Sequence, residues 1–237
     1  MKRLLFVLLC LIQPALATTR YVRNGAGSSG CSNAGTNYNQ TNDNCSGGGT
    51  STIYTSIDNA LAANTTVAGD ILDIRTGNYA YTISSSTRTI PQGTTWANAP
   101  IIRAHTGETV TIRRVGLFTQ NVKFLIFENL TIDNNFSDDE AVYLNQVTNI
   151  RFTGCTITRA RRQGVLLPHA GDDFNQFINC NIHTNGTILG QDHGLYISGS
   201  NNLVSNCLVH DNLGYGIHNW NGFTGESSNN NTFRNNK

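Results

Sequence analysis

The sequence contains a repeat that constrains the fold of this chain more strongly than any other feature. Four six-residue segments share the pattern apolar-x-Asn/Gly-Leu/Cys-x-apolar and begin, at intervals of 25 to 27 residues, at Phe127, Phe152, Phe177 and Val204. Each is followed by a second short apolar run, and these runs begin at Ala141, Gly164, Gly194 and Gly216. Apolar residues that alternate within such short runs indicate strands rather than helices. A strand-bearing unit repeated at this interval is typical of a solenoid, in which each unit stacks on the next.

The repeat divides the chain into coils that cover residues 101–122, 123–148, 149–172, 173–200 and 201–228. Each length fits two strands and the turns between them, and stacking places equivalent residues of neighbouring coils about 4.8 Å apart. The fold is therefore expected to be all-β, a single-stranded right-handed parallel β-helix. Segment 56–63 has Ile57, Ala60 and Leu61 on one face, which predicts a short helix that caps the N-terminal end.

Two side-chain ladders follow from this register. The first lies in the interior and joins one leucine to three cysteines, namely Leu130, Cys155, Cys180 and Cys207. We expect these cysteines to be small, buried and unpaired apolar residues. The second ladder lies at a turn and consists of Asn129, Asn179 and Asn206. Stacked side-chain amides can hydrogen-bond to one another, which offsets the cost of burying them.

Residues 1–17 have the composition of a signal peptide. Lys2 and Arg3 precede an apolar stretch over residues 4–12, and Ala15-Leu16-Ala17 forms a small-residue cleavage site. Neither this stretch nor any later one approaches the roughly 20 apolar residues that a membrane-spanning helix needs. We therefore expect a secreted or periplasmic protein without a membrane span.

The low charge of the chain limits its partners and supports the solenoid. Charged residues make up 13 % of the chain and the formal net charge is +1, so nucleic acid and anionic lipid are not expected as partners. Cys31 and Cys45 bracket a loop rich in Gly, Asn and Ser and are predicted to form a disulfide in an oxidising compartment. We expect a loop-rich segment over 18–53 and the β-helix over 54–237. The chain stops inside a coil, so the β-helix is expected to be truncated at its C-terminus.

Three segments of the chain resemble pectin-lyase-like β-helix proteins. Residues 68–79, which begin with Ala-Gly-Asp and end with Gly-Asn-Tyr, are similar to their entry coil, and residues 90–104 to the coil that follows. Residues 192–197 and 214–218 resemble their parallel β-helix repeats. The resemblance covers roughly residues 54–237 and implies the fold. It does not specify the chemistry, because that superfamily contains lyases, hydrolases, epimerases and non-enzymatic adhesins.

Outward-facing residues of the second apolar run form the candidate substrate-binding surface. Tyr143, Tyr196 and Trp220 are expected on or beside one stripe of the solenoid, because side chains alternate between the two faces of a strand. Aromatic rings beside charged groups on a flat β surface suit a polysaccharide, since the rings stack on sugar faces. The expected partner is therefore an acidic polysaccharide.

Four residues near this stripe are candidate catalytic residues. His193 is expected to remove a proton in a β-elimination or an epimerisation, with Asp192 orienting its ring. β-Helix C5-epimerases and lyases that act on alginate have a similar histidine at a strand entrance, although the Asp-Pro-His motif of those epimerases is absent here. Arg162 is expected to neutralise a uronate carboxylate, and His218 is a second candidate acid or base.

The sequence leaves two functions open. The first is an exported polysaccharide lyase or C5-epimerase, favoured by the clustering of site residues in two adjacent coils. The alternative is a non-enzymatic structural, adhesin or glycan-binding β-helix, favoured by the even stacking of Asn-rich coils. Calcium is the one candidate cofactor, because Asp138-Asp139-Glu140 and Asp172-Asp173 offer clustered carboxylates.

Overall fold

The protein is a parallel β-helix, as the sequence predicts. The computed structural model describes residues 17–24, 31–45, 48–64, 66–118, 122–221 and 228–237. Within these ranges the strands pair in three sheets, and parallel pairing joins each strand to its equivalent in the next coil. The predicted signal peptide lies outside the described residues, apart from Ala17. In the described part of the chain no helix is long and apolar enough to cross a membrane.

The first sheet contains ten of the strands found in the described residues. Its order is β2 (Gly35–Tyr38), β3 (Ser51–Tyr54), β1 (Thr19–Val22), β4 (Ile71–Ile74), β7 (Ile101–Ala104), β10 (Lys123–Glu128), β13 (Thr148–Thr153), β16 (Gln176–Ile178), β19 (Leu203–Ser205) and β22 (Thr232–Arg234). Only the pair formed by β2 and β3 is antiparallel in this sheet.

The second and third sheets have six strands each within the described ranges. The second is ordered β5 (Gly77–Asn78), β8 (Val110–Ile112), β11 (Thr131–Asp133), β14 (Thr156–Thr158), β17 (Asn181–His183) and β20 (Leu208–His210). The third is ordered β6 (Thr82–Ser84), β9 (Arg114–Phe118), β12 (Val142–Asn145), β15 (Val165–Leu167), β18 (Leu195–Ile197) and β21 (Ile217–Asn219). Each coil thus holds three strands, and the expectation of two strands per coil is wrong.

The additional strand arises at the predicted asparagine ladder. Asn129, Asn179 and Asn206 have φ angles of 56°, 55° and 56°, and Gly154 has 65° at the equivalent position. Asparagine and glycine enter this left-handed region at low cost. A single residue therefore turns the chain from the first sheet to the second and splits each repeated motif into two strands.

Hydrogen-bonded asparagine ladders lie instead at the other two turns. Asn175 Oδ1 accepts from Ile150 N at 3.0 Å, and Asn202 Oδ1 accepts in turn from Asn175 N at 2.8 Å. Asn185 and Asn212 repeat this arrangement between the second and third sheets. Each of these side chains accepts a hydrogen bond from a backbone amide in the preceding coil. A buried turn needs such acceptors, because its amides are not paired within a strand.

The interior is built from apolar ladders that continue from coil to coil. The cysteine ladder is confirmed, because its three thiols are buried and free: Cys155, Cys180 and Cys207. Beside it three phenylalanine rings stack with centroids 4.8 and 5.2 Å apart, those of Phe127, Phe152 and Phe177. The phenylalanine and cysteine ladders thus form part of one continuous buried core.

The N-terminal end is closed by a helix and by a disulfide-linked segment. Helix α1 (Ile57–Ala62) buries Ile57, Ala60 and Leu61 in the same core as the coils. The Cys31–Cys45 disulfide is present. Strands β1 and β2 lie within the segment 18–53, for which loops are expected from the sequence, and β3 ends one residue beyond it; all three extend the first sheet.

We expect Asn175→Ala to lower the free energy of unfolding by about 2 to 4 kcal/mol. The substitution leaves the buried amide of Ile150 without an acceptor and the carbonyl of Val147 without its Nδ2 donor, each of which costs about 1–3 kcal/mol. The matched control is Asn206→Gly, which removes an exposed amide and keeps the left-handed turn, so it should change stability by no more than about 0.5 kcal/mol. Denaturant unfolding measures both, and equal effects would contradict the ladder.

Candidate functional site

Strand pairing in the third sheet creates one outward row of side chains. Tyr143 on β12 is level with Leu166 on β15, which is level with Tyr196 on β18 and then His218 on β21. Neighbouring members of the row are about 4.8 Å apart. Tyr143, Tyr196 and His218 therefore share the stripe that the sequence predicts.

Five rings pack together at the C-terminal end of this row, and we call them the aromatic cluster: His193, Tyr196, Tyr215, His218 and Trp220. The ring centroid of His218 lies 4.5 Å from His193, 4.9 Å from Tyr196, 5.5 Å from Tyr215 and 5.4 Å from Trp220, in edge-to-face geometry. Such contacts are favourable beyond simple burial. Tyr215 is 65 % exposed and Trp220 39 % exposed, so two large rings of the cluster face solvent.

Tyr215 is the one member of the cluster that the sequence analysis does not predict. Its ring stacks on His193 with centroids 5.3 Å apart. This contact depends on Gly214, where an added Cβ would lie 2.4 Å from His193 Nδ1. The glycines on both sides of Tyr215 are the sequence signal for this close approach of the backbone.

Hydrogen bonds fix the proton positions on the two imidazoles of the cluster. His193 Nδ1 accepts from the backbone N–H of Tyr215 at 2.9 Å, so the proton of the neutral ring lies on Nε2. His193 Nε2 then donates to His218 Nδ1 at 2.9 Å. Because His218 Nδ1 accepts this hydrogen bond, the proton of the His218 ring must lie on Nε2. The pair of imidazoles therefore offers one further donor, the Nε2–H of His218.

Burial disfavours the charged form of His193. Desolvation lowers the pKa of His193, the neighbouring His218 lowers it further, and Asp192 partly opposes the shift. The residue is 4 % exposed and both ring nitrogens are hydrogen-bonded. In this arrangement His193 holds His218 in place, and His218 is the imidazole on the outward row.

Asp192 organises a turn rather than the ring of His193. Its Oδ2 accepts from the backbone amides of Thr187 at 2.8 Å and Ile188 at 2.6 Å. No hydrogen bond joins its carboxylate to His193 among the described residues, so the expected orienting contact is absent. The backbone amide of Tyr215 takes that place, because it donates to His193 Nδ1.

Arg162 is paired with Asp192, the residue before His193, and its side chain is half exposed. Its Nε is 3.9 Å from Asp192 Oδ1, and 49 % of the side chain is accessible. Asp192 Oδ1 has no hydrogen-bond partner in the described part of the chain. This loose ion pair leaves donors of Arg162 available to a further anion.

Tyr143 belongs to a separate patch two strands away from Tyr196. Its ring packs against Phe118 with centroids 5.2 Å apart, and the Arg114 guanidinium lies 5.9 Å from its centre. Leu166 separates this patch from the aromatic cluster along the row. The structure thus brings together His193, Tyr196, His218 and Trp220, but it does not place Tyr143 among them.

The predicted calcium ligands have other partners. The first acidic group contacts arginines, in the pairs Asp138–Arg113, Asp139–Arg161 and Glu140–Arg114. Asp172 accepts from the amides of Gln146 and His169, and burial raises the pKa of its carboxyl to about 6. Nowhere in the described ranges do three His, Cys, Asp or Glu side chains converge as metal ligands. Calcium binding stays a prediction.

Comparison with known proteins finds no matching family model and no matching curated protein. A crystal structure of pectate lyase Pel9A is similar, with a TM-score of 0.49 and 14 % sequence identity, over 91 % of this chain and 58 % of that chain. The chain thus spans 58 % of the length of that lyase chain. The fold assignment rests on the strand pairing described above.

We expect nitrogen–proton correlation spectra of the histidine rings to show the Nε2–H form of both His193 and His218 at about pH 8. The pKa of His193 should lie below the ordinary histidine value of about 6.5, because burial disfavours its charged form and the neighbouring His218 lowers the pKa further. An Nδ1–H signal for either ring, or a charged His193 at neutral pH, would contradict the hydrogen-bond chain.

Proposed function

We propose that this protein is exported and binds an acidic polysaccharide on the outer face of its third sheet. The observation that carries the proposal is the aromatic cluster, in which the exposed rings of Tyr215 and Trp220 lie around His218. Exposed aromatic surface that is not needed for the core marks a binding site.

Each part of the site matches one feature of a uronate sugar. The rings of Tyr215 and Trp220 offer flat apolar faces to the C–H face of a pyranose. The Nε2–H of His218 donates a hydrogen bond to a hydroxyl or ring oxygen. Arg162 contributes the charge that favours a carboxylate, because its pairing with Asp192 is long.

Proton abstraction by a lyase or C5-epimerase is the second candidate function. The lowered pKa of His193 favours it, because a neutral imidazole is required of a base. A base on the outward row needs a lone pair on His218 Nε2, however. Both rings would then have to exchange tautomers, and His193 Nδ1 would no longer accept from Tyr215. Sugar binding requires no such rearrangement, and it is therefore the leading proposal.

We expect Trp220→Ala and Tyr215→Ala each to weaken binding of a polyuronate by about two- to tenfold. Loss of one stacked ring removes about 0.5–1.5 kcal/mol of interaction, and about 1.4 kcal/mol corresponds to a factor of ten in Kd. The control is Leu189→Ala, which removes an exposed apolar side chain that is 81 % accessible and outside the cluster. Isothermal titration calorimetry with polygalacturonate measures the effect, and unchanged affinity in both ring variants would contradict the proposal.

The same mixtures separate binding from turnover. A binding protein leaves the polymer intact, whereas a β-elimination releases unsaturated uronates that absorb in the ultraviolet. Epimerisation would instead change the C5 configuration, which proton NMR detects. Product that appears with the wild type and disappears with His218→Ala would establish the second candidate and overturn the first.

Export predicts a mature protein that begins at Thr18 and contains the Cys31–Cys45 disulfide. Cleavage before Thr18 would leave β1 intact, and the new ammonium would lie 2.8 Å from the Asp70 carboxylate that already accepts from Thr18 N. Mass spectrometry of protein recovered outside the cytoplasm should find this N-terminus and a two-hydrogen gain on reduction. Retained residues 1–17 or two free thiols would contradict export.

A further inference from the structure

Two joined cavities lie at the N-terminal coils, away from the aromatic cluster. Their volumes are about 580 Å³ and about 330 Å³, and both are lined by Ala80 and Arg113. Arg113 follows β8 and precedes β9, at the turn between the second and third sheets. Strand β9 is three strand spacings from β18, about 14 Å along the solenoid. The cavities are thus a separate part of the surface.

The larger cavity is lined by three arginines, and each has a carboxylate partner. Its charged lining residues are Asp58, Arg88, Arg113, Arg114 and Asp138. Arg88 is paired with Asp58 at 2.8 Å and Arg114 with Glu140 at 3.2 Å, whereas the contact of Arg113 with Asp138 is 3.5 Å long. The ion pair of Arg113 is therefore the loosest of the three, and a ligand carboxylate would compete most easily for this guanidinium.

Arg113 is the guanidinium best placed to receive a ligand carboxylate. Its Nε and Nη2 donate to Thr82 Oγ1 at 3.2 and 3.0 Å, which positions the group between the cavities. Its Nη1 has no hydrogen-bond partner in the described residues, and 44 % of the side chain is accessible. By contrast, Arg159 in the smaller cavity uses Nε and Nη2 on the Asp133 carboxylate.

The smaller cavity offers neutral polar groups beside Arg113. Asn78, Thr111 and Asn135 line it together with the Asp133–Arg159 pair. The two side-chain amides, the threonine hydroxyl and the Asp133–Arg159 pair can donate hydrogen bonds to sugar hydroxyls or accept them, and sugar hydroxyls do both. A dianion such as phosphate fits less well, because Asp58, Asp133 and Asp138 surround the two cavities.

We propose that the joined cavities form a second glycan site, in which Arg113 binds the carboxylate of one uronic acid residue. The ring hydroxyls of that residue and its neighbour lie against Asn78, Thr111 and Asn135. The inference extends the proposed function to a second site, but it depends on different residues. Binding of sugar at one site therefore does not require binding at the other.

The test uses trigalacturonate and the same trisaccharide with its carboxylates reduced to alcohols. Calorimetry should show that the wild type binds the acidic form at least about tenfold more tightly, as a charged hydrogen bond predicts. In the Trp220→Ala background, which weakens binding at the aromatic cluster, Arg113→Gln should lose that preference, and Arg113→Lys should retain part of it because the charge remains. The matched control is Arg161→Gln, because Arg161 is exposed, paired with Asp139 and outside both cavities.

Trp220→Ala separates this site from the aromatic cluster. Arg113-dependent binding that survives Trp220→Ala supports the second site, even if the cluster binds no sugar. Undiminished affinity for trigalacturonate when Arg113→Gln is added to a folded Trp220→Ala protein overturns the proposal, as does equal affinity of the Trp220→Ala protein for the acidic and reduced trisaccharides. Should Arg113→Gln not fold, undiminished affinity in Arg113→Lys and in Thr82→Val together overturns it.

Discussion

Backbone hydrogen bonds between successive coils are the interaction on which the rest of this structure depends. Parallel ladders pair the strands, but the turns also bury amides that no strand can satisfy. Asn175 and Asn202 supply acceptors at one turn, and Asn185 and Asn212 at another. Each side chain comes from the coil after the amide it satisfies, so the coils must stay in register. An unpaired buried amide costs about 1–3 kcal/mol, which explains why a weakly charged chain uses so many asparagines.

The register of successive coils also assembles the aromatic cluster. His193 and His218 are 25 residues apart in sequence, yet stacking brings His193 Nε2 within 2.9 Å of His218 Nδ1. Tyr215 reaches His193 from the same neighbouring coil, since Gly214 lets the backbone approach. The contacts among these rings therefore depend on the stacking of two neighbouring coils rather than on a local sequence motif. Rigid strands hold such a surface better than loops do, and a binding face for an extended polymer needs that rigidity.

The sequence predicts the β-helix well because its repeat is strong. Features that depend on local backbone geometry or on contacts between coils are not predictable in this way. The free cysteine ladder and the outward row through Tyr143, Tyr196 and His218 follow from strand alternation. The third strand of each coil was not predictable from apolar spacing, because one left-handed residue such as Asn129 turns the chain. Nor does spacing reveal which nitrogen of His193 is occupied, since its partner is a backbone amide. The cavities around Arg113 depend on side chains of several coils, which no local pattern brings together.

The two tryptophans of the chain can show whether the aromatic cluster contacts sugar. Trp220 packs on His218 within the cluster, whereas Trp96 lies under Arg151, whose guanidinium is 4.1 Å from its ring centre. The indole N–H region of a proton–nitrogen spectrum therefore contains one signal from the cluster and one internal control. Titration with a long oligogalacturonate should shift or broaden the Trp220 signal and leave Trp96 unchanged. An unchanged Trp220 signal at saturating oligogalacturonate would contradict sugar binding at the aromatic cluster.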